Sequence, residues 1–568
     1  MQKMCNTDSE GRLYVFLMFT LFPLFVLNGY SNITLTKCIT FITLTAFFAI
    51  TLLVNYITAF KSGKRPEISL KRGFSYIYSP DWFLLLMLVF TAISCVFSPY
   101  LTAKNSSGQS LLFFGAGRFD GILFVFIYMV IFWLSARHGK FGQWIATALT
   151  ITTAIMCVIA MIQLGGTNVF GLYPEGKYKG YYESFVATIG NVDMMSGYLS
   201  MAWPLIWMGY ILFPFDSKGD VETLPDFIKK ANAKDITKAY FTFEKLIRYI
   251  YLPVIFLMIY VGLQIDVETF KVVLVAVPVV IIPLLTRSVK NVCRLLESLS
   301  FVILAVGFSN AITYTYIESE ERTAANFEFT SLLWICIAAF IVMIIGSIIL
   351  RRFECKTKKP KTKRSKETEN TSNPWNYVSF GIAGLEILGV IAVFCYFRFV
   401  YIPTKQYGFM YDLYELTRGR ISENAGSHRG AIWKYSLKMA KENLFFGTGT
   451  GTFAKSFKAF TKEIGYTYYQ NKNLDFAHNE YINILCTTGL FGLLTYLGFL
   501  FSTAYMSLKT MAKNPTILVL FAAVLGYAVQ AFFSFSVVIM TPLFWVLIGL
   551  LVKEARETLI INNNLEER

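Results

Sequence analysis

The sequence predicts an all-α polytopic membrane protein with about fourteen transmembrane helices, and its composition is the first reason. Of the 568 residues, 55% are hydrophobic and only 15% are charged, and the mean hydropathy is +0.51. A water-soluble chain of this length needs more charged side chains to cover its surface, so repeated membrane spans explain the composition. The nine cysteines form no CxxC pair, so neither a disulfide framework nor a zinc site is expected.

The second reason is the number of long apolar runs. Some are shorter than the ~20 residues of an untilted span, which tilting or re-entrance accommodates. The predicted spans lie near 13–30, 37–60, 81–98, 119–136, 142–163, 193–213, 249–265, 272–286, 299–317, 329–350, 377–397, 480–507, 516–533 and 537–552.

The third reason is the placement of Lys and Arg. They collect in every second connection, which is typical of cytoplasmic loops and predicts that both termini are cytoplasmic. This topology also accounts for the net charge of +16, so nucleic acid is not expected as a partner. The basic clusters lie within 61–72, 137–140, 229–248, 287–294, 351–364 and 509–513, and at Lys553.

The same pattern predicts the division of the chain. Six segments follow from the spans and the charged stretches between them. They are an N-terminal bundle of about six spans at 1–213, a cytoplasmic loop at 214–248, an additional block of about four spans at 249–350, a basic cytoplasmic linker at 351–376, a C-terminal region at 377–553 and a cytoplasmic tail at 554–568.

The longest outward loop, 398–479, is the predicted working part. It carries 12 Lys and Arg against 6 Asp and Glu, which favours an anionic substrate or a lipid headgroup as its partner. Residues 427–440 have the pattern of an amphipathic helix, with Arg429 near its start. The glycine-rich run that contains Gly447 and Gly449 predicts a turn, and a phosphate-binding loop is the alternative.

Only three histidines occur in the chain: His138, His428 and His478. His478 lies at the predicted outer membrane boundary, directly before a span. An imidazole titrates near ~6.5, so it can accept a proton from a hydroxyl group at neutral pH. A histidine at the interface with no chemical role is the alternative for this residue taken alone.

Several motifs resemble those of the O-antigen ligase and polymerase-related family. His478-Asn479 is followed after nine residues by Gly489-Leu-Phe-Gly492, and this spacing is similar to the family's signature. Upstream, Ser427-x-Arg429 precedes a Trp by four residues, and 442–449 resembles the family's Asn-Pro-Leu-x-Gly-x-Gly element without its proline. Gly190-Asn191-Val-Asp is similar to its Gly-Asn-Pro-Asn element. The resemblance covers about 420–505, with weaker support at 111–205.

This resemblance implies a GT-C-like fold and a glycan transfer outside the cytoplasmic membrane of a bacterial cell envelope. The implied donor is a glycan on a polyprenyl diphosphate such as undecaprenyl diphosphate. The acceptor is an unknown glycan, lipid or protein, and neither a cofactor nor a metal is implied. Such a reaction needs a base for the acceptor hydroxyl group and cations for the leaving diphosphate.

The resemblance therefore implies roles for particular residues. His478 is the predicted general base and Arg429 the predicted diphosphate ligand, because arginine binds phosphates through two parallel hydrogen bonds. Arg118, by its position at the outer end of the fourth span, is a further candidate, and a structural role at the membrane interface is the alternative for it. Arg420 is another candidate. The residues that support the motifs are Asn479, Gly489, Gly492, Gly190, Asn191, Gly447 and Gly449.

Four functions remain open on the sequence. A ligase, a polysaccharide polymerase and an enzyme that glycosylates protein hydroxyl groups share this chemistry. A flippase or other transporter for lipid-linked oligosaccharides is the fourth, but it would carry its ionisable residues within the spans. Here the distinctive charges lie at the outer boundary, which favours an enzyme.

Overall fold

The structure is a computed structural model that describes most of the chain. The described residues are 8–62, 80–174, 184–213, 233–286, 288–317, 322–357, 374–406, 408–466 and 474–566. Helices make up most of these residues, and strands are few.

The described residues contain eighteen α-helices, α1 to α18 in chain order. The first nine are α1 (Asp8–Leu24), α2 (Ile33–Lys61), α3 (Pro80–Val96), α4 (Leu111–Phe114), α5 (Ile122–His138), α6 (Gln143–Leu164), α7 (Val192–Leu212), α8 (Ala233–Gln264) and α9 (Glu268–Leu285). The others are α10 (Val289–Ala311), α11 (Ser331–Thr357), α12 (Pro374–Cys395), α13 (Phe409–Leu416), α14 (Ala425–Ala440), α15 (Phe453–Glu463), α16 (Glu480–Thr510), α17 (Pro515–Gln530) and α18 (Thr541–Glu566).

Two short antiparallel strand pairs interrupt the helices. In the first, β1 (Phe185–Val186) pairs with β2 (Gly190–Asn191). In the second, β3 (Ile312–Ile317) pairs with β4 (Arg322–Phe327), so that Ile312 lies opposite Phe327.

The second strand pair corrects one predicted span. The run 299–317 was expected to be helical throughout, but α10 ends at Ala311 and the chain continues as β3. The segment Ile312-Thr-Tyr-Thr-Tyr-Ile consists of β-branched and aromatic residues, which favour an extended backbone.

Eight helices in the described part of the chain are long and apolar enough to cross a membrane. They are Gly29–Lys61, Gln143–Leu164, Ile247–Gln264, Glu268–Leu285, Val289–Ala311, Ser331–Arg352, Tyr377–Val400 and Glu480–Thr510. Three shorter apolar helices are Pro80–Val96, Ile122–His138 and Pro515–Gln530. The predicted helical membrane protein is therefore confirmed, and the count of about fourteen spans stays a prediction.

Exposed apolar side chains on these helices agree with a lipid environment. In α12, for example, Phe380 is 76% exposed and Leu385 is 69% exposed. Contiguous apolar surface of this kind is unfavourable in water, whereas a helix in lipid satisfies its own backbone and exposes such side chains without cost.

The chain divides into two compact units. One combines Met1–Phe141 with Pro403–Arg568, and the other is Gly142–Ile402. Within the first unit, α16 packs along α3 and α18 packs along α5. Asp81 forms ion pairs with Arg137 at 3.6 Å and with Arg556. The second of these joins the N-terminal and C-terminal segments of the unit.

The second unit is organised around α7. Every residue of this helix from Met194 to Ile211 is buried. Helices α6, α8, α9 and α10 pack against it, and α11 packs against α10. A helix that is apolar on all sides is expected at the centre of such a bundle.

Candidate functional site

A break in helix α16 organises the region that holds the sequence motifs. At Gly489 the backbone has φ 74° and ψ −172°, values that are essentially restricted to glycine. A Cβ atom built on Gly489 would lie 2.3 Å from the carbonyl oxygen of Phe445. The break therefore requires glycine, and it leaves backbone groups of α16 without their usual partners.

The segment 444–449 supplies those partners. The amides of Thr448 and Gly449 donate to the carbonyl oxygens of Cys486 and Thr487 at 3.0 and 2.8 Å. Beyond the break, the amide of Leu490 donates to the carbonyl oxygen of Leu444 at 2.7 Å. The two motifs thus form one hydrogen-bonded unit.

This arrangement favours the turn over the phosphate-binding loop for Gly447 and Gly449. A phosphate cradle needs backbone amides that point at the ligand, but the amides of Gly447, Thr448 and Gly449 all donate to main-chain carbonyl oxygens. A Cβ atom on Gly447 would lie 2.4 Å from the carbonyl carbon of Thr487. These glycines allow close packing of two backbone segments. Gly492 lies within α16, directly after the break.

His478 and Asn479 lie at the start of α16. Asn479 caps the helix, because its Oδ1 accepts a hydrogen bond from the amide of Ile482 at 3.0 Å. His478 is half-buried and has a left-handed backbone with φ 50°. Its ring meets the ring of Phe535 edge-on at a centroid distance of 5.0 Å. These contacts hold the imidazole at the end of the helix.

Arg429 lies on α14, the helix predicted at 427–440. It is half-buried and lies one helical turn before Trp433, so the two side chains share a face about 6 Å apart along the axis. The Nε1 atom of Trp433 donates to the carbonyl oxygen of His478 at 3.4 Å. Arg429 is thereby on the face of α14 that is directed to the His478 segment.

The apolar side of α14 packs against protein. Ile432 and Met439 belong to a buried cluster with Phe453 and Phe457 of α15 and with Cys486 of α16. The exposed side of α14 and the residue after it carry three lysines: Lys434, Lys438 and Lys441. This packing anchors α14 at the site independently of any lipid.

Arg118 also reaches the His478 segment. Its Nε atom forms an ion pair with Asp475 at 3.0 Å, three residues before His478. The nearby Asp120 accepts a hydrogen bond from the amide of Ala116 at 3.1 Å. Burial disfavours the charged form of Asp120 and raises the pKa of its carboxyl group to about 6, with a smaller contribution from the charge of Asp475.

The remaining predicted residues are Arg420, Gly190 and Asn191. Arg420 is exposed on the connection between α13 and α14, and within the described residues no contact joins it to His478. Gly190 and Asn191 lie in the second unit, where Asn191 caps α7 by accepting from the amide of Asp193 at 2.9 Å.

Glu480, which the sequence motifs did not single out, is 7% exposed. Its Oε1 accepts a hydrogen bond from the Tyr496 hydroxyl at 2.7 Å, and its Oε2 accepts one from the Tyr527 hydroxyl at 2.8 Å. Its amide donates to the carbonyl oxygen of Ala531 at 2.8 Å. An acidic residue at the first position of an apolar span was the signal that could have identified it.

A cavity of about 110 Å³ lies beside Glu480, within the first unit. Its wall combines aromatic rings with hydroxyl, amide and carboxyl groups. The lining residues are Met87, Thr91, Phe119, Asp120, Gly121, Phe124, Val125, Tyr128, Thr450, Gly451, Phe476, Glu480, Asn483, Ile484, Thr487, Thr488, Tyr496, Ser536 and Trp545. None of them is Lys, Arg or His.

Comparison with known proteins identifies the region that contains this helix break. The family model described as O-antigen ligase matches residues 328–497, less than a third of the chain. The match includes Arg429, His478 and Gly489, and it confirms the resemblance predicted from the motifs. The comparison with curated proteins found no match.

Proposed function

Because residues 328–497 match the O-antigen ligase family model and the chain is a helical membrane protein, we propose that it transfers a glycan from a polyprenyl-diphosphate carrier to an acceptor hydroxyl group. The bond between the sugar's anomeric carbon and the diphosphate oxygen breaks, and a bond from that carbon to the acceptor oxygen forms. The acceptor loses its proton, and the carrier leaves as its diphosphate.

His478 is the proposed general base. The observation that carries this role is its placement: a half-buried imidazole held by Phe535, at the end of α16 and beside the cavity-lining Phe476 and Glu480. A base must be held in a fixed orientation to accept a proton from a bound hydroxyl group. Both the family match and these contacts support the assignment.

Arg429 is the proposed ligand of the diphosphate, with Arg118 as a second one. The face that Arg429 shares with Trp433 supports its role, and the ion pair of Arg118 with Asp475 brings a second guanidinium to the same segment. Permanent positive charges there stabilise the charge that develops on the leaving diphosphate. Arg420, being exposed, is an auxiliary candidate that contacts the carrier only as it arrives.

The proposal includes the predicted topology and domain organisation. The chain spans a bacterial cytoplasmic membrane about fourteen times, with both termini in the cytoplasm and the 398–479 loop on the outer face. In this scheme the bundle at 1–213 and the region at 377–553 carry the reaction, which is metal-independent. The block at 249–350 is an addition to them.

A matched pair of histidine substitutions tests the base. His478 and His428 both have left-handed backbones, with φ 50° and φ 71°, and asparagine tolerates this conformation. We expect His478→Asn to abolish glycan transfer in the source cell while the protein still inserts, and His428→Asn to retain it. Full transfer by an inserted His478→Asn protein would overturn the assignment.

The glycan that accumulates separates a ligase from a polymerase. A cell with His478→Asn is expected to accumulate full-length polymer on the carrier if the chain is a ligase. Short single-repeat glycan would instead identify the polymerase of the same family. Arg429→Lys is expected to lower transfer at least tenfold, because a lysine ammonium cannot form the two parallel bonds of a guanidinium.

A further inference from the structure

Polar groups without partners line the cavity beside Glu480. The Tyr128 side chain is 7% exposed, and its hydroxyl group has no hydrogen-bond partner among the described residues. The side chain of Asn483 accepts through Oδ1 from the amide of Ala477 at 3.3 Å, and its Nδ2 has no acceptor in the described part of the chain. Buried polar side chains normally have partners, so the hydroxyl group of the buried Tyr128 points to a bound molecule, and the half-buried Asn483 offers a donor beside it.

The cavity offers both kinds of hydrogen-bonding group. Tyr128 donates or accepts, the Asn483 nitrogen donates, and the carboxyl groups of Asp120 and Glu480 accept when ionised. Apolar faces stand beside them, since Phe119, Phe124 and Trp545 also line the wall, and Trp545 stacks against Tyr128 at 6.2 Å. A compact molecule with several hydroxyl groups and apolar C–H faces complements such a wall.

The size of the cavity agrees with one sugar residue. A single water needs about 10–15 Å³ of space measured in this way. The cavity of about 110 Å³ therefore has room for about seven to eleven waters, slightly fewer than the roughly twelve heavy atoms of a hexopyranose, whose bonded atoms lie closer together than separate waters.

The charge of the wall restricts which sugar fits. Two carboxyl groups and no cationic side chain occur among the described lining residues. A sugar carboxylate would find no cationic partner in this wall, whereas a hydroxyl, acetamido or ammonium group would meet acceptors.

We infer that this cavity binds one neutral or amino sugar residue of the glycan and rejects acidic sugars. The inference rests on the proposed glycan transfer for its biological meaning, but binding is measurable without turnover.

Saturation-transfer NMR on the full chain in nanodiscs tests this binding with three probes: N-acetylglucosamine, glucosamine and glucuronate. We expect both uncharged and amino sugars to bind, and glucuronate to bind at least tenfold more weakly. The inference would be overturned if glucuronate bound as tightly as the other two sugars, or if neither N-acetylglucosamine nor glucosamine bound.

Variants on α5 locate the binding. Val125 lines the cavity and Phe126 is 50% exposed on the same helix. Val125→Trp fills the cavity and is expected to lower sugar binding at least tenfold. Phe126→Trp places the same indole ring on the exposed side of the helix, outside the cavity, and is expected to leave binding unchanged. Tyr128→Phe removes only the unpartnered hydroxyl and is expected to weaken binding several-fold. Unaltered binding by both Val125→Trp and Tyr128→Phe would place the sugar elsewhere.

The His478→Asn protein separates this inference from the proposed function. It is expected to bind N-acetylglucosamine like the unaltered protein while it fails to transfer glycan. If transfer survives in His478→Asn while the cavity variants lose binding, the base assignment fails and the sugar site stands. If His478→Asn loses transfer but both Val125→Trp and Tyr128→Phe bind sugar normally, the sugar site fails alone.

Discussion

The indole nitrogen of Trp433 donates a hydrogen bond to the main-chain carbonyl oxygen of His478 at 3.4 Å. These residues are 45 positions apart in the chain, and the bond joins helix α14 to the segment that begins α16. The Trp433 ring also packs against Phe533 at 5.9 Å. Trp433 therefore links the helix that carries Arg429 directly to the proposed base.

Trp433→Phe removes this hydrogen bond and keeps an aromatic ring. A typical hydrogen bond contributes about 0.5–1.5 kcal/mol, which corresponds to a factor of about 2 to 10 in rate if it acts only through the position of His478. We expect glycan transfer in nanodiscs to slow by this factor, with a smaller change in KM for the donor. A variant with unchanged kcat would show that the bond does not position His478.

Gly489→Ala is expected to prevent the helix break. A backbone at φ 74° and ψ −172° is unfavourable for alanine, and the added Cβ atom would lie 2.3 Å from the carbonyl oxygen of Phe445. Strain at such a position costs about 1–3 kcal/mol before the steric overlap is added. We expect a lower yield of folded protein by size-exclusion chromatography and a lower unfolding midpoint.

Gly384→Ala is the matched control for that change. A Cβ on Gly384, within α12, meets no atom within 4 Å. It is expected to leave yield and midpoint unchanged or slightly raised, because alanine is the better helix former. Equal effects of the two substitutions would contradict the special role of Gly489.

Tyr496→Phe tests the buried contact of Glu480. The variant removes the hydroxyl group that donates to Oε1 at 2.7 Å and leaves that oxygen without this donor. A buried polar group that loses its partner costs about 1–3 kcal/mol, so we expect the free energy of unfolding to fall by about that amount. Tyr505→Phe on the same helix removes an exposed hydroxyl group and should change it by less than about 0.5 kcal/mol. Similar losses in both variants would argue against a structural role for the Glu480 contact.

Asp120→Asn is expected to alter the pH dependence of stability. The pKa of Asp120 is raised to about 6 by burial, above the value of about 3.9 in an unfolded chain. Between about pH 4 and 6 the folded protein holds a proton that the unfolded chain has released, so the free energy of unfolding falls as pH rises. Asparagine has no such ionisation.

The measurement is the unfolding midpoint of both proteins from pH 4 to 7.5. The quantity to compare is the unfolding midpoint of Asp120→Asn minus that of the unaltered protein. We expect this difference to increase by about 2 °C between pH 4 and about pH 6, and to stay constant above pH 6. A difference that is independent of pH, or that decreases as pH rises, would contradict the raised pKa.

Much of the motif region was predictable, for a local reason. The His478-Asn479 pair, the glycines around 447–449 and 489–492, and the helix at 427–440 each depend on short-range rules of capping, backbone conformation and periodicity. The structure has a helix cap, turns and a helix at these positions. The chemical roles of His478 and Arg429 stay predictions.

What the sequence by itself determined is the class of protein, the motif and the family resemblance, because composition, hydropathy and spacing are properties of the chain. Only the tertiary structure decided that Asp120, Tyr128 and Glu480 share one cavity, and that Phe445 closes the break at Gly489. The first unit is built from the two ends of the chain. Burial and hydrogen bonding between residues hundreds of positions apart depend on how helices pack, and no local pattern encodes that packing.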